Sequence, residues 1–88
     1  MVERIVTVRN RAGIHARPAA LLVKTTSLFS SQIYIEKDSE KVNGKSIMGV
    51  ITLGATHDTQ LKIIADGPDE VEALDTIEKL FQNRFEEE

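Results

Sequence analysis

The chain has 88 residues, of which 11 are Lys or Arg and 14 are Asp or Glu, so its formal net charge is −3. This length supplies one hydrophobic core, and we therefore expect a single domain over residues 1–88. The mild acidity argues against a nucleic-acid-binding protein, because neutralising phosphates requires an excess of basic side chains. The sequence has no cysteine, which excludes disulfides, a thiolate nucleophile and thiolate metal ligands.

The N-terminal segment lacks the pattern of an export signal. Residues 1–4 include two charged side chains, and no apolar stretch follows them. The longest purely apolar run covers only residues 19–23, which is too short for a signal peptide or a membrane span. We expect a soluble, cytoplasmic protein that does not insert into membranes.

The first half of the chain shows a strand pattern and then a helix pattern. Val6 and Val8 alternate with Thr7, as in a half-buried strand. Residues 10–13 break this pattern, and the spacing that follows predicts a helix from about residue 16 to residue 28. The apolar stripe of this helix consists of Ala19, Leu22, Val23 and Thr26.

The middle of the chain predicts two strands, a short helix and another strand. Ile33 and Ile35 alternate with polar residues, which predicts a strand. A second, short strand over residues 41–43 is predicted to pair with it across a polar turn. Residues 46–53 predict a short helix that begins with serine, a favoured N-cap. Alternating apolar residues predict the last strand over residues 61–66.

The last predicted element is a helix after Gly67-Pro68. Asp69 with Glu72 three residues later has the form of a capping box. The resulting order is βαββαβα. Because one face of the second strand is polar, we predict a two-layer α+β fold, with a four-stranded antiparallel sheet and three helices on one face. The predicted core face of the last helix consists of Val71, Leu74, Ile77 and Phe81.

Charge is distributed unevenly along the chain. Residues 1–24 contain five basic side chains and one acid, a local charge of +4. Residues 66–88 contain nine acids and two basic side chains, a local charge of −7. We interpret the acidic end as a solvated helix face and a frayed tail at residues 86–88. The basic end surrounds the most unusual segment of the sequence.

That segment, residues 13–20, places a histidine at the start of the first predicted helix. At this position the backbone N–H groups and the helix dipole favour an anion near His15. Pro18 is tolerated in the first turn, and it leaves the backbone amides of Ala16 and Arg17 as the nearest donors. The Arg17 guanidinium adds a permanently charged fork that suits a phosphate group.

Two interpretations of His15 are open on these residues alone. In the first, the positive helix end favours a neutral, nucleophilic imidazole that accepts a phosphoryl group, and the amides and Arg17 hold the transferred anion. In the second, His15 merely caps the helix and Arg17 is solvated. The spacing favours neither interpretation over the other.

Three segments of the chain carry recognisable motifs. Residues 13–19 read GIHARPA, residues 44–50 read GKSIMGV and residues 52–54 read TLG. With these motifs, and with similarity running nearly end to end, the chain resembles the HPr family. Its members are histidine-containing phosphocarriers of the bacterial phosphoenolpyruvate:sugar phosphotransferase system. The resemblance implies an open-faced β-sandwich and a carrier that is a substrate in a relay rather than an enzyme, and we expect no cofactor.

The resemblance also implies roles for individual residues. His15 would accept phosphate on its δ1 nitrogen from Enzyme I and pass it to sugar-specific IIA-type domains, with Arg17 assisting. Ser46 would be a regulatory site phosphorylated by HPr kinase/phosphorylase. A phosphoserine there would place negative charge beside the partner-binding face, which predicts weaker transfer from Enzyme I.

Gly44, Lys45 and Ser46 also form part of a phosphate-binding-loop pattern. That motif requires a glycine where this chain has Ser39, and it belongs to much longer nucleotide-hydrolysing domains. We therefore reject it. On the residues alone, Ser46 is interpreted as a plain helix cap.

The first two helices have more apolar residues than one core face can use. One interpretation is that the short second helix is richly buried. We favour another, in which exposed residues of both helices form an apolar docking patch surrounded by basic side chains. The flexible side chain of Met48 would allow this patch to accept several partners. The docking patch predicted in this way consists of Ala20, Leu21, Lys24, Lys45, Ile47, Met48 and Ile51.

Two other functions compete with that of a sugar-transport carrier. A regulatory paralogue of the nitrogen-related NPr branch would signal by its phosphorylation state, and Gly67-Pro68 resembles that branch. A ligand- or RNA-binding module would show a basic or aromatic sheet face, for which Tyr34 is the clear candidate. His57 is interpreted as an exposed turn residue, and we expect no metal site. We expect a monomer that docks transiently.

Overall fold

In the computed structural model, which describes residues 1–86, strands and helices follow one another in the predicted order βαββαβα. Within those residues, no helix combines the length and the apolar character needed to cross a membrane. The elements are β1 (Val2–Thr7), α1 (Ala16–Thr26), β2 (Gln32–Lys37), β3 (Glu40–Asn43), α2 (Ile47–Thr52), β4 (Gln60–Asp66) and α3 (Glu70–Gln82), followed by a 3₁₀ turn (Arg84–Glu86).

The strands form one antiparallel sheet in the order β1-β4-β2-β3. Between β2 and β4, Ile33 lies opposite Ala65 and Ile35 lies opposite Ile63, so their side chains share one face. These four residues are at most 1% exposed. Val6 of β1 continues the same buried face.

The helices cover this apolar face. Leu22 of α1, Val50 of α2 and Leu74 of α3 are each no more than 2% exposed and belong to the same core cluster as the strand residues. The other face of the sheet is largely polar, and on it Lys62 Nζ lies 3.7 Å from Glu36 Oε1. The predicted open-faced β-sandwich, with helices on one face of a four-stranded antiparallel sheet, is confirmed.

The predicted core face of α3 is wrong at one residue. Leu74, Ile77 and Phe81 are buried as expected, but Val71 is 55% exposed. At 3.6 residues per turn, Val71 lies roughly 120° around the helix from the centre of the buried face. Ala73 and Leu80 occupy that face instead.

The capping box predicted for α3 does not form. Asp69 is the N-cap residue, but its side chain makes no hydrogen bond to the first turn of the helix. Its carboxylate instead accepts hydrogen bonds from the backbone N–H groups of Ser30 and Ser31, both at 2.9 Å, and from the Ser31 hydroxyl. Asp69 therefore joins the start of α3 to the loop between α1 and β2.

The end of helix α1 and the segment after α3 also differ from expectation. Helix α1 ends at Thr26, two residues before the predicted end, and the Thr26 hydroxyl donates a 2.8 Å hydrogen bond to the Gly44 carbonyl. After α3, residues 84–86 adopt positive φ angles and bring Phe85 into the core at 3% exposure, which the sequence pattern did not predict. The rest of the expected frayed tail, residues 87 and 88, lies outside the described residues.

Candidate functional site

The loop before α1 is held on both sides. Asn10 Nδ2 donates a 2.6 Å hydrogen bond to the Gly13 carbonyl, and the Gly13 N–H donates to the Asn10 carbonyl at 3.1 Å. The Ile14 N–H then donates to the Ala55 carbonyl at 2.9 Å. Gly13 has φ +78°, and a Cβ added there would lie 2.7 Å from the Ala55 oxygen, so only glycine fits this turn. The position of His15 is thereby fixed relative to the loop after α2.

His15 is the N-cap residue of α1. Its backbone is extended (φ −96°, ψ −164°), its carbonyl accepts the Ala19 N–H at 2.9 Å, and its side chain is exposed. The imidazole makes no hydrogen bond to the amides of the first turn. The interpretation of His15 as a side-chain cap of the helix is therefore wrong, whereas its predicted place at the helix start is confirmed.

The start of α1 is suited to an anion. The Ala16 amide lies ahead of the first backbone hydrogen bond of the helix, and Pro18 has no N–H. The first turn contains no acidic side chain, and Arg17 is exposed on it. The partial positive charge of the helix end is therefore not offset by a carboxylate from the first turn.

Ser46 caps α2, as predicted. It has an extended backbone, and its Oγ accepts a hydrogen bond from the Gly49 N–H at 3.1 Å. The Ser46 N–H in turn donates to the Asn43 carbonyl at 3.1 Å, which ties the start of α2 to the end of β3. The side chain is half-buried.

Helix α2 divides its apolar residues between the core and the surface. Val50 and Leu53, at the C-cap position, are 2% and 4% exposed, whereas Ile47 is 42% exposed and Met48 is 68% exposed. The alternative of a richly buried short helix is therefore wrong for Ile47 and Met48. Ile51 is half-buried and packs against the core.

The other residues of the predicted docking patch vary in exposure. Ala20 and Lys24 are exposed on α1, and Leu21 is half-buried against the core. Lys45 is half-buried, and its Nζ donates a 2.7 Å hydrogen bond to the Phe29 carbonyl. Its ammonium keeps its charge but is held against the backbone of the loop between α1 and β2, so it is less available to pair with a docking partner than the sequence alone suggested.

Leu28 is an exposed apolar residue that sequence reasoning missed. It is 76% exposed, because α1 ends before it and the chain turns towards β2. One signal was available in the sequence: Leu28 falls outside the stripe that predicted the buried face of α1.

The remaining candidate residues lie elsewhere. His57 is half-exposed in a turn, as expected, with Nδ1 3.5 Å from Asp58 Oδ2. No group of metal-ligating side chains occurs within residues 1–86. Tyr34 donates a 2.7 Å hydrogen bond to Gln32, and Lys41 Nζ lies 5.1 Å from the centre of its ring. One face of the aromatic ring is therefore already covered, which disfavours base stacking.

Comparison with known proteins gives one consistent result. Residues 2–83 match a family model described as the phosphorylation site of the HPr component of the phosphotransferase system. The chain is 54% identical over 88 residues to the phosphocarrier protein HPr of Treponema pallidum, with 100% of both chains covered. It is 47% identical over 77 residues to the HPr-like protein Crh of Bacillus subtilis, which covers 88% of this chain and 91% of that protein.

Solved structures agree with this result. A crystal structure of HPr from Thermoanaerobacter tengcongensis superimposes with a TM-score of 0.96 at 49% identity, covering 100% of this chain and 99% of that one. An HPr dimer from the same organism has also been crystallised, with a TM-score of 0.80 at 48% identity over 99% and 100% of the two chains.

Proposed function

The chain belongs to the HPr family of phosphocarrier proteins, and we propose that its His15 takes a phosphoryl group from phospho-Enzyme I and passes it to sugar-specific IIA-type domains. The observation that carries this proposal is the exposed imidazole of His15 at the start of α1. The protein is not an enzyme, because it is itself consumed and regenerated in the relay.

The chemical step is a phosphoryl transfer between two proteins. A ring nitrogen of His15 that carries its lone pair attacks the phosphorus, and the bond between phosphorus and the donor atom of Enzyme I breaks. The bonding electron pair returns to the donor. The reverse sequence, with a IIA-type domain as the attacking partner, regenerates His15. Exposure of the ring allows both partners to approach it.

The start of α1 then holds the phosphate. The Ala16 amide donates towards the anion, and Arg17 supplies a forked, permanently charged donor. The absence of acidic residues from the first turn removes the repulsion that a carboxylate would cause. This arrangement acts mainly by positioning and by charge stabilisation, which is what phosphoryl transfer requires of a protein.

Phosphate incorporation from phosphoenolpyruvate with a catalytic amount of Enzyme I tests the proposal. We expect one acid-labile phosphate per chain, detected by intact mass at neutral pH and lost after brief acid treatment. His15→Ala should abolish it. His57→Ala is the matched control, because His57 is the second of the two histidines in the chain and lies in an exposed turn. Incorporation that persists in His15→Ala contradicts the proposal.

We further propose that Ser46 is a regulatory phosphorylation site for HPr kinase/phosphorylase. Its hydroxyl caps α2 directly before Ile47 and Met48, the exposed large apolar residues of the docking patch. A phosphate on this oxygen is compatible with the helix start but adds a charge of about −1.5 to −2 beside those side chains. Burying them against Enzyme I would then require that charge to be desolvated.

A second candidate function is that of a regulatory member of the family, signalling by its phosphorylation state. The observation that supports this candidate is a serine placed to alter the docking patch. The two functions differ in where the phosphate of His15 goes. Rapid transfer to a sugar-specific IIA-type domain supports the carrier, whereas faster transfer to a nitrogen-related IIA-type domain supports the regulator.

We propose that the chain acts in the cytoplasm as a monomer, since successive docking of two partners requires the same surface to be accessible. The dimer crystallised for the Thermoanaerobacter tengcongensis relative makes the oligomeric state a direct test. Sedimentation velocity across a range of concentrations should give a constant monomer mass. A dimer at working concentrations contradicts this part of the proposal.

A further inference from the structure

Four basic side chains converge on a surface pocket that does not belong to the helix starts or the docking patch described above. Arg9, Arg11, His57 and Arg84 line a pocket of about 190 Å³. They come from three separate segments: the loop after β1, the turn before β4 and the 3₁₀ turn after α3. We call this the basic pocket. A concentration of positive charge is notable in a chain whose net charge is −3.

The arginines of the basic pocket differ from Arg4, which is paired with acidic residues. Arg4 Nη1 lies 2.6 Å from an Asp75 oxygen and 3.0 Å from a Glu78 oxygen. In contrast, the side chains of Arg9, Arg11 and Arg84 make no hydrogen bond or ion pair within the part of the chain that the structure describes. Acids nearby include Asp58, whose carboxylate lies 3.5 Å from the His57 ring, and Glu78, which lines a neighbouring groove together with Arg9. The residues that line the basic pocket itself are three arginines and a histidine.

The three segments are held in place by the fold. The Val8 N–H donates to the Thr59 carbonyl at 2.9 Å, and the Asp58 N–H donates to the Val8 carbonyl at 2.8 Å. These bonds join the loop of Arg9 to the turn of His57. At the third segment, Phe85 is 3% exposed and anchors the left-handed turn in which its neighbour lies. The backbone positions of the basic residues are thus set before any ligand arrives.

We propose that the basic pocket binds a small phosphorylated molecule, with its phosphate group between the guanidinium groups. Guanidinium forks match the geometry of phosphate oxygens, and several cations favour a dianion over a monoanion. Bringing the arginines together also costs repulsion, which a bound anion removes. The volume is several times the roughly 30 Å³ that a water molecule occupies, so a phosphate and part of its carrier molecule fit.

The basic pocket is distinct from the start of α1, since neither His15 nor Arg17 lines it. The two regions are nevertheless connected through the backbone. Arg11 precedes the loop that positions His15, and the Ala55 carbonyl that holds this loop lies two residues before His57.

Anion titration of the ¹⁵N-labelled protein at constant ionic strength tests the proposal, with pyrophosphate as the probe and acetate as the monoanion control. We expect saturable shifts of the Arg Nε–H and His57 ring signals with pyrophosphate and none with acetate. Arg11→Gln and Arg84→Gln should each weaken binding about tenfold, the loss of one charge-assisted hydrogen bond. Lys41→Gln, an equal loss of charge on the solvated face of the sheet, should leave binding unchanged.

Two results would overturn the proposal. In the first, pyrophosphate shifts only the signals of residues 15–17 and Arg17→Gln abolishes the effect, which assigns the anion to the start of α1. In the second, Lys41→Gln weakens binding as much as Arg11→Gln, which shows a diffuse charge effect. The amide spectrum shows whether each variant is folded. If Arg84→Gln disturbs its left-handed turn, Arg11→Gln, at an exposed position, decides the outcome.

Discussion

The starts of α1 and α3 use the same helix electrostatics in opposite ways. Helix α3 begins with Asp69 as N-cap and has Glu70 and Glu72 in its first turn. Helix α1 begins with His15 and has no acidic residue in its first turn. A positive helix end stabilises a nearby anion by about 0.3–1 kcal/mol. The chain supplies acidic side chains to the first turn of α3 and none to the first turn of α1, where we propose that a phosphate binds.

The carboxylates at α3 are engaged in tertiary contacts. The Ser31 hydroxyl, followed by the Ser30 amide, lowers the pKa of Asp69 below its usual value near 3.8. The Gly67 N–H, at 3.1 Å, and then the N-terminal ammonium lower the pKa of Glu70. Both groups therefore stabilise the fold as anions. The start of α3 thus has a structural role, whereas the role that we propose for the start of α1 is to bind a phosphate.

The strongest test of this comparison is to give α1 an acid. Arg17→Glu should lower the rate of phosphate acceptance from Enzyme I by at least about tenfold, because it removes a charge-assisted hydrogen bond and adds repulsion. The rate is measured by single-turnover transfer from phosphorylated Enzyme I. Lys24→Glu, the same reversal on an exposed residue further along α1, is the matched control and should have a smaller effect.

A second test adds charge at the start of α2. Ser46→Asp keeps an N-cap but places a carboxylate beside the docking patch. Transfer from Enzyme I should fall about fivefold, corresponding to roughly 1 kcal/mol for one surface charge. Ser46→Asn keeps a cap without charge, and Ser39→Asp adds the same charge in the exposed β2–β3 turn. Equal transfer rates in Ser46→Asp and Ser46→Asn would contradict the proposed regulation.

A third test compares exposed apolar residues on two different helices. Met48 on α2 is 68% exposed and Val71 on α3 is 55% exposed. Met48→Gln should raise the KM of Enzyme I for this carrier about threefold, because the interface loses part of the apolar burial at this residue. Fully burying a methionine contributes roughly 1.5–3 kcal/mol. Val71→Gln should leave the KM unchanged. A larger effect at Val71 would move the docking surface to α3.

The smallest effect on the transfer rate is expected for a substitution of Asp69, which should instead lower the stability of the fold. Asp69→Asn should lower the Tm at pH 7 and leave the transfer rate intact, since it removes an anion that accepts three hydrogen bonds far from His15 in sequence.

The pH dependence of that variant follows from the lowered pKa of Asp69. Its folded pKa lies below its unfolded value near 3.8, so its stabilisation is present above that value and is lost as the pH falls through the folded pKa. Thermal unfolding between pH 7 and pH 2 should therefore show a shallower acid loss in Asp69→Asn than in the wild type. Parallel curves would contradict this assignment.

Local chemistry was sufficient for most of the fold and for the candidate site. The spacing of apolar residues acts within one element, and it predicted the order βαββαβα and the single solvated sheet face. Capping acts within one turn, and it predicted Ser46 at the start of α2, where its Oγ accepts the Gly49 N–H. The histidine at the start of α1 was predictable for the same reason. The roles of these residues in transfer stay predictions.

Tertiary structure decided which partner a side chain binds where more than one is available. Asp69 has a nearby helix start in the sequence, but its carboxylate takes donors from residues 30 and 31, because folding brings those amides within 2.9 Å. Lys45 has solvent available, but its ammonium reaches the Phe29 carbonyl. The same holds for the basic pocket, whose side chains come from segments as far apart as residues 9 and 84. Periodicity determines which face of an element is buried, whereas only packing determines which distant groups meet there.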